Sequence, residues 1–268
     1  MNKKLLKNFC AVFLAGFMAL LLLPQSAQAQ RKEAYVVKSS DKKTLTFYYD
    51  AQKSSRTGTV WGIETGREDF GNTPPAWSGT WDTPESKVTT AVFDASFKNY
   101  LPQSTKFWLF NLIKLKKIEG LTNLNTSKVT TMMGMFAGCQ KLTSLDLSNF
   151  KTKNVKDMSR MFYECNSLQT IYCNNTWTCS DSWIMFYGCT SLQGAVPYNK
   201  SKINVSMANP ETGYFTKKES TGVATATTEA NANIQAIYST DGRRLNELQR
   251  GLNIVRMSNG TTQKILRK

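Results

Sequence analysis

A short phrase that occurs three times constrains the fold of this chain more than any other feature of its sequence. Each copy joins methionine to phenylalanine and has a cysteine three residues after the phenylalanine, which is Phe136, Phe162 or Phe186. The copies are therefore 26 and 24 residues apart. A period of about 20 to 29 residues with recurring leucine is typical of a leucine-rich-repeat solenoid, whose coils must stack to bury their apolar faces.

The two halves of each repeat differ in the spacing of their apolar residues. Residues 145–147 alternate apolar and polar side chains, which predicts a short strand. Between 155 and 165 the apolar positions are three or four residues apart, which predicts a helix. The sequence therefore predicts an α/β fold, a short leucine-rich-repeat solenoid of about four to five coils over residues 88–217. The expected core residues are Leu121, Leu124, Met132, Phe136, Leu142, Leu145, Leu147, Val155, Met158, Phe162, Leu168, Phe186 and Leu192.

The segment 1–29 has the layout of a secretory signal peptide. Three lysines precede an apolar stretch, which is followed by small residues that form a cleavage site ending at Ala29. The apolar stretch 9–23 is shorter than the roughly 20 residues needed to span a bilayer. We therefore expect cleavage after Ala29, no transmembrane span in the mature chain, and export to the cell surface, at the outer membrane, or secretion.

Residues 30–87 predict an N-terminal β cap. The segments 34–38 and 44–49 alternate in polarity on either side of a polar turn, as expected of a β-hairpin. Trp77 and Trp81 lie in the loop that follows. Exposed loop tryptophans can stack on sugars, but sealing the open end of the solenoid is the favoured interpretation, because a terminal coil would otherwise expose its core.

The C-terminal part of the chain divides into a linker and a small β module. Residues 218–231 consist mainly of Thr, Ala, Ser and Gly, which cannot bury enough apolar surface to order themselves. In 232–268, the turn pairs Asp241-Gly242 and Asn259-Gly260 separate strand-like segments, which is the strongest short-range signal for hairpins. We expect this module to act in sorting, with docking as a cap on the last coil as the alternative.

The chain is strongly basic, with a formal net charge of +15. Removal of the signal segment, which has three lysines and no acidic residue, lowers this charge to +12. A basic surface favours acidic partners such as an acidic glycan, and it also keeps an exported protein soluble. Dense basic runs and nucleic-acid-binding motifs are missing from the sequence, which does not favour nucleic acid as a partner.

The composition argues against catalysis. There is no histidine, so the usual Ser-His-Asp and Cys-His systems and the commonest transition-metal ligand are excluded. We therefore expect no catalytic, cofactor-binding or metal-binding residues. Asp146, Asp157, Glu164 and Asp181 fall on variable positions between the repeat landmarks, so a carboxylate-dependent enzyme acting on glycans is the weakest alternative.

Five cysteines follow the signal segment. Cys139, Cys165 and Cys189 recur at one position of the repeat, where a small buried thiol suits the core. Cys173 and Cys179 flank a loop short enough to be closed by a disulfide, which an exported protein favours. The sequence leaves open whether this pair is oxidised.

The repeat resembles that of the BspA-like leucine-rich-repeat surface proteins of Bacteroidetes. The segments 118–130 and 144–150 carry this resemblance, which extends over about 88–217. The segment 251–255, followed by Gly260 and a basic end, resembles the C-terminal sorting domains read by the type IX secretion system. The first resemblance implies a cell-surface or secreted binding protein, with adhesion to host proteins or neighbouring cells as its role.

Export, a repeat surface, positive charge and missing catalytic groups together predict a non-catalytic surface protein. Its expected partners are an extracellular host or bacterial protein or an acidic glycan, bound on the extended face of the repeats, and the secretion machinery through the C-terminal module. A structural component of the cell envelope without a specific soluble ligand is the alternative. The sequence assigns no individual residue to ligand contact.

Overall fold

The computed structural model describes residues 31–63, 73–218, 224–225, 234–258 and 260–267. They belong to two compact units, which are divided between Lys217 and Lys218. The predicted signal segment 1–29 lies outside the described residues, as does most of the predicted linker 218–231. In the part of the chain that is described, no helix has the length and apolar character needed to cross a membrane.

The secondary structure consists of short strands, turns and short 3-10 helices. The strands of the first unit are β1 (Glu33–Lys38), β2 (Thr44–Asp50), β3 (Thr59–Gly62), β4 (Thr90–Phe93), β5 (Lys117–Glu119), β6 (Ser144–Asp146), β7 (Thr170–Tyr172) and β8 (Phe215–Thr216). Those of the second unit are β9 (Ala224–Thr225), β10 (Ile234–Tyr238), β11 (Arg244–Leu245), β12 (Gly251–Met257) and β13 (Thr262–Arg267). The 3-10 helices are Lys53–Ser55, Ala95–Asn99, Leu121–Asn123 and Val205–Met207.

The N-terminal sheet has the strand order β3-β1-β2-β4-β5. β1 and β2 form the predicted antiparallel hairpin, with Val36 opposite Phe47. β2 then pairs in parallel with β4, and β4 pairs in parallel with β5. Val36, Leu45 and Phe47 are fully buried, as the alternation along each strand requires. The hairpin is therefore continuous with the first coils of the repeat.

Successive coils of the repeat are linked by parallel backbone pairing at two positions. β6, β7 and β8 form a parallel three-stranded sheet. At the second position, isolated bridges join Ser104 to Thr131, Thr131 to Asp157, and Asp157 to Asp181. Each of these bridges joins residues about one repeat apart, so the coils stack in register.

The prediction of an α/β leucine-rich-repeat solenoid is wrong. The described residues contain no α-helix, and 155–165, which the apolar spacing predicts to be helical, is a run of tight turns. The longest helical element in that part of the chain is the 3-10 helix Ala95–Asn99. Consecutive tight turns return side chains to one face every three or four residues, so their apolar spacing resembles that of a helix.

Backbone hydrogen bonds in the turn segment alternate between two destinations. The N–H of Met161 donates to the carbonyl three residues earlier, whereas the N–H of Phe162 donates to Met185 in the next coil at 2.9 Å. The N–H of Glu164 likewise donates to the next coil, to Tyr187 at 2.7 Å. An α-helix would bind each N–H to the carbonyl four residues back. The bonds that hold the coils together therefore exclude the helix.

Equivalent turn segments occur in four coils, around residues 107–111, 134–138, 160–164 and 184–188, and each has two residues with positive φ. The positions are Phe107, Asn111, Gly134, Gly138, Arg160, Glu164, Ile184 and Gly188. Glycine adopts this conformation without the strain that a Cβ imposes. At Gly138 a side chain also has no room, because a Cβ would lie 2.7 Å from Oδ1 of Asn111 in the preceding coil.

One continuous hydrophobic cluster fills the described part of the first unit and contains every core residue predicted from the repeat. Phe136, Phe162 and Phe186 stack along it, with neighbouring ring centres 5.8 and 5.3 Å apart. The ring planes of these neighbours differ by only 1° and 13°. Equivalent residues therefore pack on one another from coil to coil, as a fixed sequence period predicts.

The second unit is a five-stranded sheet with the order β11-β10-β12-β13-β9. β10, β12 and β13 are the strands that the turn pairs predict, and they pair antiparallel. Val255, Met257 and Ile265 form a small buried cluster. Asn253 is also buried, and its side-chain amide donates to the backbone carbonyls of Gln249, Gly251 and Ile265. The apolar core of this unit is small for an independent domain.

The Phe stack gives a direct test of the core. Phe162→Ala should lower the free energy of unfolding by about 3 to 5 kcal/mol, because it leaves a cavity between two stacked rings. Tyr172→Ala is the matched control, since this aromatic side chain is 36% exposed and its loss should cost less than about 1 kcal/mol. Chemical denaturation followed by tryptophan fluorescence measures both changes. Equal stabilities of the two variants would contradict the placement of Phe162.

Candidate functional site

The turn segments place a row of equivalent side chains along the outside of the stack. The hydrogen bonds between coils put Phe110, Ala137, Tyr163 and Tyr187 at the same position of successive coils. Phe110 and Ala137 are buried together with Phe107, whereas Tyr187 is 48% exposed. Tyr163 and Tyr187 stack with ring centres 5.3 Å apart. The row therefore changes from a buried cluster to an exposed aromatic surface along the stack.

Trp81 extends this row beside the first coil. Its ring meets Phe110 and Phe107 edge to face, with ring centres 4.6 and 5.8 Å apart. The loop that carries it is held to the same coil, because the N–H of Gly79 donates to the carbonyl of Phe110 at 2.9 Å. The indole remains 46% exposed.

The two loop tryptophans have different environments. Trp77 is 3% exposed, donates its indole N–H to the carbonyl of Trp108 at 2.8 Å, and packs against Phe47. It covers the end of the core, as the sealing interpretation expects. That interpretation fails for Trp81, which lies on the surface.

Arg160 connects Trp81 to a second exposed tryptophan, Trp183. The guanidinium carbon lies 4.1 Å from the ring centre of Trp183 and 5.6 Å from that of Trp81. The N–H of Arg160 donates to the carbonyl of Trp183 at 3.0 Å, so the backbone holds these two residues in register. Among the described residues, the guanidinium has no hydrogen bond or ion pair.

We call the surface formed by Trp81, Arg160, Tyr163, Trp183 and Tyr187 the outer aromatic face. Trp183 is its most exposed member, at 57%. The members come from an N-terminal loop and from two adjacent coils. Cation–π contacts join Arg160 to Trp81 and to Trp183, and ring stacking joins Tyr163 to Tyr187. The backbone N–H of Tyr163 donates to the carbonyl of Arg160 at 3.0 Å, which connects the two groups.

The ionisable groups around this face have defined charge states. Burial raises the pKa of Tyr163, and the neighbouring Glu164 carboxylate raises it further, so the phenol is neutral at pH 7. The nearby Ser159 hydroxyl and the N–H of Trp183, which donates to Oδ1 of Asp181 at 3.1 Å, lower the pKa of Asp181. The face therefore presents π surfaces, phenol hydroxyls and one cation. These groups can stack on a ligand and hydrogen-bond to it, which is chemistry suited to binding.

The carboxylates considered as catalytic candidates take part in local structure. Asp146, Asp157 and Asp181 each accept a hydrogen bond from the backbone N–H two residues later, at 3.1, 2.8 and 3.1 Å. Such Asx turns reverse the chain direction. Glu164 acts on the neighbouring Tyr163, whose pKa it raises. Within the described ranges, no three His, Cys, Asp or Glu side chains form a group that could hold a metal ion.

Cys139, Cys165 and Cys189 are fully buried in the core of successive coils. Their Sγ atoms donate to backbone carbonyls of the preceding coil at 3.1, 3.1 and 2.9 Å. Burial raises the pKa of all three thiols, that of Cys165 to about 12. They therefore remain neutral thiols at physiological pH.

Cys173 and Cys179 are both free cysteines in the structure. The Sγ of Cys173 lies 3.6 Å from the carbonyl oxygen of Asn175, and the Sγ of Cys179 lies 3.0 Å from that of Asp181. The two thiols thus have separate partners. The disulfide that the sequence leaves open is not formed here.

The outer aromatic face was not identified from the sequence. One signal was present, because Tyr163 and Tyr187 directly follow the repeated phenylalanine in consecutive copies. The role of Arg160 and Trp183 depends on the register between coils, which no local pattern reveals. Trp81 is about 80 residues away from Arg160 in sequence, so only the folded chain brings them together.

A match to a known protein family covers part of the chain. Residues 104–218 match the family described as Mycoplasma protein of unknown function, DUF285. The matched stretch contains the turn segments and every member of the outer aromatic face except Trp81. No curated protein and no solved structure matches the chain.

The thiol environments predict an order of alkylation. Iodoacetamide added to the native protein without reductant should label the partly exposed Cys179 first and leave Cys139, Cys165 and Cys189 unlabelled until the protein unfolds. Raising the pH should speed labelling of Cys179, because the thiolate is the reactive form. Peptide mass mapping measures each site. A crosslink between Cys173 and Cys179, or rapid labelling of Cys165, would contradict these environments.

Proposed function

We propose that this chain is a non-catalytic protein of the cell surface or extracellular space, and that its outer aromatic face binds an extracellular protein or glycan. The observation that carries the proposal is the exposure of Trp183, Tyr187 and Trp81, at 57%, 48% and 46%. Contiguous exposed apolar surface of this kind marks interaction sites in soluble proteins. Trp, Tyr and Arg are also the residue types that contribute most to binding energy at interfaces.

The rigidity of the face supports a binding role. Tyr163 and Tyr187 are held by the hydrogen bonds between coils and by stacking on each other. Arg160 is held by its backbone bond to Trp183 and by the two indoles. Side chains that are already ordered lose little conformational entropy when a ligand binds.

A non-catalytic role agrees with the chemistry of the chain. Without histidine, activation of a serine or cysteine nucleophile by the usual base is excluded. The buried thiols have raised pKa values, which disfavours the reactive thiolate. Asp146, Asp157 and Asp181 accept backbone hydrogen bonds that stabilise turns.

Binding of the mature protein, residues 30–268, to a panel of extracellular matrix proteins and to a glycan array tests the proposal. The double variant Trp183→Ala with Tyr187→Ala should bind the identified ligand at least about tenfold more weakly, since loss of interface aromatics costs 2 kcal/mol or more. Tyr172→Ala removes an exposed aromatic outside the face and should bind as the parent does.

Two outcomes would contradict this function. A parent protein that binds no member of either panel and remains with outer-membrane fractions would be a structural component of the envelope. Turnover of any glycan or protein would show an enzyme. Melting curves of all variants separate loss of binding from loss of folding.

We further propose that the chain belongs with the BspA-like surface proteins of Bacteroidetes and reaches the surface through the type IX secretion system. Support comes from the signal-like layout of 1–29, the resemblance of the repeats, and the sorting-like pattern of 251–255. The C-terminal strands also form a compact unit of their own. Secretion machinery could therefore grip or remove this unit and leave the repeats intact.

Deletion of residues 231–268 tests the sorting role. The truncated protein should accumulate in the periplasm and melt at the temperature of the parent's first unit, because the core of that unit lies before residue 218. Cell fractionation and thermal melting provide the two measurements. Normal arrival at the surface would contradict the sorting role, and a lowered melting temperature would indicate a stabilising cap instead.

A further inference from the structure

We propose that the outer aromatic face binds an acidic glycan, and that Arg160 donates hydrogen bonds to the carboxylate of a uronic acid residue whose ring lies against Trp183 and Tyr187. This inference rests on the proposed binding function and names the ligand class of the same site. Three properties of the face support it: the unused donors of Arg160, the open aromatic rings beside it, and the charge of the chain.

Two indole rings hold the guanidinium of Arg160 in position, and no carboxylate of the described residues forms an ion pair with it. It lies 4.1 Å from the ring centre of Trp183 and 5.6 Å from that of Trp81, and in the described part of the chain it has no hydrogen bond or ion pair. A guanidinium presents five N–H donors in a planar fork, which matches the two oxygens of a carboxylate. Because the indoles already order the side chain, pairing with a carboxylate needs little further immobilisation.

The carboxylate of Asp181 interacts electrostatically with Arg160 but does not take these donors. Its side chain accepts a hydrogen bond from the N–H of Trp183 at 3.1 Å. No ion pair joins Asp181 to Arg160 among the described residues. A carboxylate from a ligand therefore has no ion-paired competitor at the guanidinium.

The exposed rings of the outer aromatic face leave room for a sugar. Trp183 remains 57% exposed with the guanidinium against it, and Tyr187 is 48% exposed. Sugar rings present flat C–H surfaces, which pack on aromatic faces, and hydroxyls, which reach neighbouring polar groups. Stacked Tyr163 and Tyr187 repeat along the coils, so the face runs along the stack and suits a chain of sugars.

The charge of the chain favours an acidic glycan over a neutral one. The formal net charge is +12 without the predicted signal segment, and a basic protein attracts polyanions at long range. Long-range attraction alone would be equally strong with arginine or with lysine at position 160. The fork geometry of Arg160 makes the contact specific, because lysine carries the same charge without a planar pair of donors.

Calorimetric titration of the mature protein, residues 30–268, with oligogalacturonate and with its carboxyl-reduced neutral counterpart tests the inference. The acidic probe should bind, and the reduced probe should bind at least about tenfold more weakly, because charge-assisted hydrogen bonds are lost. Since both probes meet the unaltered protein, this comparison does not depend on the folding of any variant.

Single-residue variants then test whether oligogalacturonate binds at the outer aromatic face. Arg160→Gln, Arg160→Lys and Trp183→Ala should each weaken binding of oligogalacturonate about tenfold. Lys128→Gln removes an exposed charge elsewhere, and Tyr172→Ala an exposed ring elsewhere; both should stay within about twofold of the parent. Equal losses in Arg160→Gln and Lys128→Gln, or full binding by Arg160→Lys, would show unspecific charge attraction and overturn the inference.

Failure of this inference and failure of the proposed function give different results. Binding of a matrix protein or a neutral glycan that depends on Trp183 and Tyr187, without binding of oligogalacturonate, would overturn the acidic-glycan assignment and leave the binding function standing. Loss of all ligands would overturn both.

Discussion

The structure depends on backbone hydrogen bonds that run from one coil to the next through the turn segments. In the segment from Met158 to Glu164, alternate N–H groups donate to the following coil at 2.7 to 3.0 Å, and those between them close local turns. Both kinds of bond are needed, because buried backbone groups must be paired. This alternation fixes the register of the coils. It also demands positive φ at two positions of each segment, including Arg160 and Glu164.

A fixed register has different consequences inside and outside the stack. Inside, it places Phe136, Phe162 and Phe186 on one another and completes a continuous core. Outside, it aligns Tyr163 with Tyr187 on the surface. Tyr187, which is 48% exposed, is not needed to fill the core, so its identity is open to selection for binding. The same bonds that stabilise the coils therefore also hold the candidate binding face rigid.

The core of the stack and the outer aromatic face also differ in their chemistry. In the core, the repeat cysteines Cys139, Cys165 and Cys189 have thiols whose raised pKa keeps them neutral, and they serve packing and S–H donation to backbone carbonyls. The outer face contains a cation, Arg160, without an ion pair in the described part of the chain. Aromatic rings hold this partly buried guanidinium in place, and its N–H groups can still donate hydrogen bonds to a ligand. These features are the basis of the binding function proposed for the outer aromatic face.

Sequence alone determined the repeat, its period, the core residues from Leu121 to Leu192, and the hairpin of β1 and β2, because burial patterns are local and periodic. Sequence could not distinguish a helix from a run of turns in 155–165, since both return side chains to one face every three or four residues. Only the tertiary structure decided this, because the destination of each backbone N–H depends on a neighbouring coil. For the same reason it alone brought Trp81 to Arg160: their contact requires the stacking of coils that are distant in the chain.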